Sequence, residues 1–216
     1  MKPVITKVKI CGVTNLDDAE LAAGCGAWAI GLVFHHASPR RCEPDAAAAI
    51  GDALKRRAQV VGVFVNPSLD ELVGISEAAG LTMLQLHGEE GPAFCEEARR
   101  RTGLKVIKAA RVRDFAQVRG LGAYHTDFHL LDSYRPDVYG GTGESFDWKL
   151  AAEHRRDPPL ILSGGLDAGN VGAAIAELAP YAVDCSSGVE LVPGRKDAER
   201  VRALFEAVAD TAPAGV

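Results

Sequence analysis

Short β-branched and aliphatic runs alternate with longer amphipathic runs along the whole chain. The short runs predict strands at Val8–Cys11, Ala29–Phe34, Val60–Val65, Met83–His87, Lys105–Ala109, His129–Asp132, Leu160–Ser163 and Ala182–Ser186. Several, such as VVGVFV and LILS, are almost continuously apolar, as expected of parallel strands covered on both faces. Between them the apolar spacing turns helical, with recognisable starts. Thr14 and Asp17 form a capping pair before DAELAAG, which Gly24 ends. Pro44 sits at the first turn of PDAAAAIGDALKRR, and Ser68 with Glu71 makes a capping box before DELVGISEAAG. Further helices are predicted over Pro92–Thr102, Asp114–Leu121, Trp148–His154, Gly169–Leu178 and Ala198–Ala209. Eight β/α units of about 27 residues each fill the 216-residue chain, apart from a short tail at about 211–216. The economical fold is a single (β/α)8 TIM barrel over residues 1–216; a doubly wound open sheet is the competitor.

Composition narrows the function classes. Hydrophobic residues at 47% supply a sizeable core, and the formal charge of −5 offers no basic surplus for nucleic acid or an anionic membrane. The start MKPVITKVKI lacks the apolar run of a signal peptide, and no stretch has the roughly 20 apolar residues of a spanning helix, so a cytoplasmic protein is expected. Five cysteines without a C-x-x-C pair argue against a disulfide framework and a cysteine-rich zinc site. No His spacing suggests a metal, and neither nucleotide-loop pattern occurs, so no metal and no cofactor are expected.

In a barrel, chemistry belongs where strands hand over to the following loops. Three of the later junctions are glycine-rich: Gly140–Gly143, Ser163–Gly165 and Ser186–Gly188. Exposed backbone N–H groups there, beside helix N-termini after strands 7 and 8, suit a phosphate. Two reactive side chains end strands, Cys11 on the first and Asp132 on the sixth. Such a thiol can act as base in an electropositive site, and such a carboxyl as general acid.

Taken in order, K-I-C-G-V-T-N, S-P-R, V-G-V-F-V-N, L-Q-L-H-G-E-E, L-L-D-S, Y-G-G-T-G, L-S-G-G-L and V-D-C-S-S-G-V-E…P-G-R-K-D resemble the phosphoribosylanthranilate isomerase family from residue 7 to about residue 197. The resemblance implies a cofactor-free Amadori rearrangement of an aminoaldose phosphate in tryptophan biosynthesis. It makes Cys11 the general base and Asp132 the general acid. It places Arg40 on the substrate's carboxylate, with the neighbouring Arg41 as alternative. Gly141, Gly143, Gly164, Gly165, Ser187 and Gly188 fall on the phosphate loops, and Gln85 and His87 on positions facing the site. The expected partner is a small phosphorylated substrate, and a monomer is mildly preferred.

Three rivals have distinguishing features. A histidine-pathway or bifunctional isomerase carries a carboxylate where this chain has Cys11 and needs a second phosphate site early in the chain. An aldolase-like barrel needs a Schiff-base lysine, for which Lys105 and Lys108 are the candidates. A non-catalytic phosphate-binding scaffold has no need of both Cys11 and Asp132 at the mouth.

Overall fold

A computed structural model of the chain describes residues 6–133, 148–155 and 157–211. The strands are β1 (Lys7–Cys11), β2 (Ala29–Val33), β3 (Gln59–Phe64), β4 (Met83–Leu86), β5 (Lys105–Val112), β6 (Phe128–Ser133), β7 (Leu160–Leu162) and β8 (Ala182–Cys185). They close into a parallel barrel in sequence order, with β1 pairing β8 through Lys7↔Ala182 to Ile10↔Cys185. The helices between them are α1 (Leu16–Gly24), α2 (Pro44–Ala53), α3 (Leu69–Ala78), α4 (Pro92–Thr102), α5 (Phe115–Gly120), α6 (Trp148–Ala152), α7 (Val171–Leu178) and α8 (Ala198–Ala209). This is the expected (β/α)8 barrel, and it disposes of the open sheet.

Local chemistry explains the helix boundaries. Ser68 Oγ accepts from the Glu71 N–H, as its capping box requires, and Asp114 and Asp197 cap α5 and α8 in the same way. At α1 the cap is Asn15, whose side chain accepts from the Asp18 N–H, and not Thr14. The Thr14 hydroxyl instead donates to the Gly194 carbonyl at 2.6 Å. β5 runs three residues past its predicted end, and Glu190–Val192 (β9) pairs with Arg195–Lys196 (β10) as a small antiparallel hairpin after β8.

The two-residue period of each strand divides the core in two. Outward residues such as Ile10, Ile30, Leu32 and Leu84 pack under the helices, while Ala29, Val61, Met83, Ile107, Phe128, Leu130, Ile161 and Ala182 fill the barrel interior. Trp28 and Tyr181 close its lower end against Phe128, with the Lys7 ammonium donating to the Tyr181 hydroxyl at 2.7 Å. By the same parity Lys9, Cys11, Gly31, Gln85, Asp132 and Asp184 point inward, above that apolar plug.

One polar pair lies on the outer side of the sheet. His129 of β6 and His154 sit 2.9 Å apart, Nδ1 to Nε2, and His129 Nε2 faces the Tyr124 carbonyl at 3.2 Å. The chain of bonds is satisfied when both rings are neutral. Burial pushes the basicity of both down, that of His154 to about 4. The folded pKa lies below the unfolded value, so this contribution to stability is whole above about pH 6.5 and is lost as pH falls toward 4. Thermal melting should therefore weaken over that window, by roughly 2–4 °C for each kcal/mol. His154→Phe should flatten the slope; a slope identical to the parent's would contradict the assignment.

Candidate active site

The C-terminal mouth of the barrel opens into a cavity walled by Cys11, Val33, His35, Ser38, Arg40, Val63, Gln85, His87, Arg111, Asp132, Ser163, Gly164, Gly165, Asp184, Ser186 and Ser187. Strand ends from most of the barrel contribute, so residues far apart in sequence meet there. Of the residues expected at the site, Cys11, Arg40, Gln85, His87, Asp132, Gly164, Gly165 and Ser187 line it. Gly188 does not. A Cβ there would stand 2.1 Å from the Leu166 carbonyl oxygen, so its role is to let the β8 loop press against the β7 loop. Gly141 and Gly143 lie outside the described residues.

On the β1 side, Cys11 sits above Lys9, which is fully buried and bound to Asp184 at 2.8 Å. Burial pushes the Cys11 thiol up, and the charge of the nearby Lys9 ammonium pulls against that rise without cancelling it. On the opposite side, Gln85 Nε2 lies 3.1 Å from His87 Nδ1, and His87 Nε2 lies 3.4 Å from Asp132 Oδ2. Among the described residues, Gln85 Oε1 is the buried side-chain polar atom left without a hydrogen-bond partner.

Arg40 and Arg41 separate clearly. Arg41 points outward, its side chain 46% exposed beside Glu43. Arg40 is buried and held side-on by Glu190, with Nε at 2.9 and 3.1 Å from the two oxygens and Nη2 at 2.7 Å. That leaves the end-on N–H pair on Nη1 and Nη2. Gly12 has φ +74°, and a Cβ there would meet Arg40 Cδ at 2.6 Å, so the glycine of K-I-C-G makes room for this arginine.

Glu190 is the centre of a larger network. It also accepts from Lys196 Nζ at 2.9 Å and the Gly194 N–H at 3.2 Å. Lys196 Nζ donates in turn to the Cys11 carbonyl at 2.7 Å and the Ser186 carbonyl at 3.2 Å. Burial pushes the Glu190 carboxyl up, but the hydrogen bonds and charges of Arg40 and Lys196 outweigh it, and the group is held below the ordinary range. One carboxylate thus ties together the β1 end, the β2 loop and the β8 loop. Sequence reasoning missed Lys9, Asp184, Glu190 and Lys196. Lys108, a Schiff-base candidate, is committed to Glu90 and the Gly88 carbonyl at 2.8 Å each, and Lys105 is exposed.

The loops after β7 and β8 leave backbone N–H groups open. Gly164 (φ +97°) and Gly165 (φ +68°) follow β7 in left-handed backbone, and neither N–H donates to an acceptor among the described residues. Ser187 opens a single 3₁₀ turn, Ser187–Val189, whose first N–H groups have no acceptor within the turn. Among the described residues no cluster of three or more His, Cys, Asp or Glu could hold a metal ion, and no helix is long and apolar enough to cross a membrane.

Fold and site together define a (β/α)8-barrel enzyme whose chemistry sits at the C-terminal mouth. Residues 8–207 match the family described as N-(5'phosphoribosyl)anthranilate (PRA) isomerase. The N-(5'-phosphoribosyl)anthranilate isomerase of Citrifermentans bemidjiense is 51% identical over 201 residues, which is 93% of this chain and 96% of the relative. The crystal structure of the phosphoribosyl anthranilate isomerase from Thermus thermophilus superposes with a TM-score of 0.87 at 41% identity, covering 95% of this chain and 99% of that one. Another solved isomerase of this name, with a TM-score of 0.84 and 36% identity over 95% of this chain and 99% of its own, is in complex with reduced 1-(o-carboxyphenylamino)-1-deoxyribulose 5-phosphate. The chain belongs to the N-(5'-phosphoribosyl)anthranilate isomerase family, and it is an isomerase.

The Glu190 hub makes a sharp prediction for stability. Glu190→Gln leaves Arg40 and Lys196 as buried cations without their anion, a loss of about 3–5 kcal/mol when one partner of a buried pair is removed. Urea unfolding measures it; a loss below about 1 kcal/mol, the worth of an exposed pair, would contradict the network.

Proposed function

We propose that the chain carries out the Amadori rearrangement of N-(5-phosphoribosyl)anthranilate in tryptophan biosynthesis, with Cys11 as general base and Asp132 as general acid. The observation that carries this reading is the placing of a thiol and a carboxyl on different walls of one mouth, beside loops whose N–H groups are open. Asp132 protonates the furanose oxygen; the ring opens and an iminium ion forms between the anthranilate nitrogen and C1. The Cys11 thiolate takes the proton from C2, and the C–H electron pair moves into a C1=C2 bond that neutralises the iminium. The resulting enolamine tautomerises to the 1-amino-1-deoxyketose. All electrons stay within one molecule, so the chemistry asks for no redox partner.

The two ends of the substrate serve as handles that hold C1 and C2 between base and acid. Gly164, Gly165 and Ser187 receive the phosphate through backbone N–H groups, with Gly188 holding the two loops together. Gly141 and Gly143 belong with them by family motif. The end-on N–H pair of Arg40 suits the anthranilate carboxylate. Gln85 stands at the cavity wall with its amide turned to His87. Its amide N–H faces His87 Nδ1, which leaves the His87 Nε2–H directed at Asp132. The histidine-pathway alternative is disfavoured by Cys11, which stands where that enzyme class carries a carboxylate. A biosynthetic enzyme of this type works in the cytosol.

Cys11→Ser and Asp132→Asn should each lower kcat by about 10²–10⁴-fold, the usual weight of a general base or acid. Arg40→Ala should raise KM about 10–150-fold, the equivalent of roughly 1.5–3 kcal/mol for hydrogen bonds to a charged group. A Cys11→Ser enzyme with parental kcat would refute the base assignment. In cells lacking the tryptophan-pathway isomerase the gene should restore growth without tryptophan; rescue of a histidine-pathway defect alone would refute the substrate assignment.

A further inference from the structure

Lys9 is the most buried cation of the described chain, with no exposed surface, and it stands in the barrel interior where neighbouring inward positions are Ala29, Met83 and Ile107. Its Nζ donates to Asp184 Oδ1 at 2.8 Å, across the Lys9↔Asp184 register pair of β1 and β8. Two residues on, Cys11 faces the same way. A Cβ on Gly31 of β2 would lie 2.8 Å from Cys11 Sγ and 3.1 Å from Lys9 Nζ, so thiol and ammonium share one confined space that only a glycine leaves open.

A buried ion pair is a poor device for stability, because desolvating both charges offsets most of their attraction and an apolar pair of similar volume often serves as well. The barrel fills the layer below with apolar residues, so holding the fold together does not explain a lysine here. A chemical role does. We infer that Lys9 is a positioning residue for the reaction: its ammonium, held by Asp184, is the counter-charge that lets Cys11 stand as a thiolate beside the substrate's C2.

The inference rests on the reading of Cys11 as the base and adds the group that makes a buried thiol fit for the task. Three charges face Cys11: Lys9 from its own strand, Asp184 from β8, and Lys196 from β10. Lys196 lies on the Cys11 carbonyl and is neutralised by Glu190, while Asp184 opposes an anion at sulfur. Lys9 is therefore the cation placed to balance the sulfur. In turnover the thiolate gains the C2 proton and becomes a thiol. It returns that proton to water after product leaves, and Lys9 keeps its own protons throughout.

The test is the full-length Lys9→Met protein, near-isosteric and uncharged. The pH dependence of Cys11 alkylation by iodoacetamide is read by mass spectrometry of the Cys11 peptide, so the other cysteines do not enter. Loss of an opposite charge at this range should move the alkylation midpoint upward by about 1–3 pH units. kcat near neutral pH should fall about 10–1000-fold and recover as pH is raised, with KM little changed. If the single variant does not fold, Lys9→Met/Asp184→Asn is compared with Asp184→Asn, so that the opposing Asp184 charge is absent from both and the upward shift between them reports Lys9 alone. Gly31→Ala, which forces Sγ and Nζ apart without changing charge, should also lower kcat.

An unchanged midpoint with kcat within about threefold, in Lys9→Met against the parent or in the double variant against Asp184→Asn, would overturn the role of Lys9 while leaving the base assignment standing. An active Cys11→Ser enzyme would overturn both.

Discussion

Closing eight strands into a barrel decides which side chains can reach the mouth. Every second residue of a closed parallel sheet must face the interior, and the interior is too narrow for water to solvate what is placed there. The lower layers meet this constraint with alanine, valine, methionine and aromatic rings. At the upper layer the same parity turns Lys9, Cys11, Gln85, His87, Asp132 and Asp184 toward one another. Once charge is put in such a place it must be balanced within a few ångströms, because an uncompensated buried ion costs several kcal/mol. The geometry of the site follows from that requirement.

Balance is achieved in separate groups. Asp184 answers Lys9 under the thiol, and Glu190 answers both Arg40 and Lys196 beside it. The second group reaches furthest, since Lys196 also holds the Cys11 and Ser186 carbonyls. The end of β1, the arginine loop after β2 and the loop after β8 therefore keep one register. In the proposed reaction, base, carboxylate handle and phosphate handle must keep fixed spacing for a single substrate to span them, and a shared carboxylate is an economical way to hold it. Glu90 plays a comparable part on the far side, joining the loops after β3 and β4 to Lys108 of β5.

Strand and helix order was legible in the sequence because parallel barrel strands are apolar on both faces and helix caps have their own residue types. Cys11 and Asp132 were legible because they end strands. Lys9 and Asp184 were not: a polar residue alternating with apolar ones reads as the solvent side of a strand, and only closure of the sheet turns that side inward. Glu190 and Lys196 sit in a two-strand hairpin too short to show a period, and their importance comes from partners up to 185 residues away. Thr14 and Asn15 are both good caps, and only backbone geometry at the start of α1 picks between them. Burial likewise separates Arg40 from Arg41, which adjacency in sequence could not do.

The central claim is that this mouth converts an aminoaldose phosphate to its ketose with protein side chains alone as acid and base. It is tested most directly by mixing the purified full-length protein with freshly formed N-(5-phosphoribosyl)anthranilate in the presence of a metal chelator and following the loss of substrate fluorescence. The account predicts saturable conversion to 1-(2-carboxyphenylamino)-1-deoxyribulose 5-phosphate, unaffected by the chelator. Decay no faster than the substrate's spontaneous breakdown, or turnover that stops when the chelator is added, would contradict it.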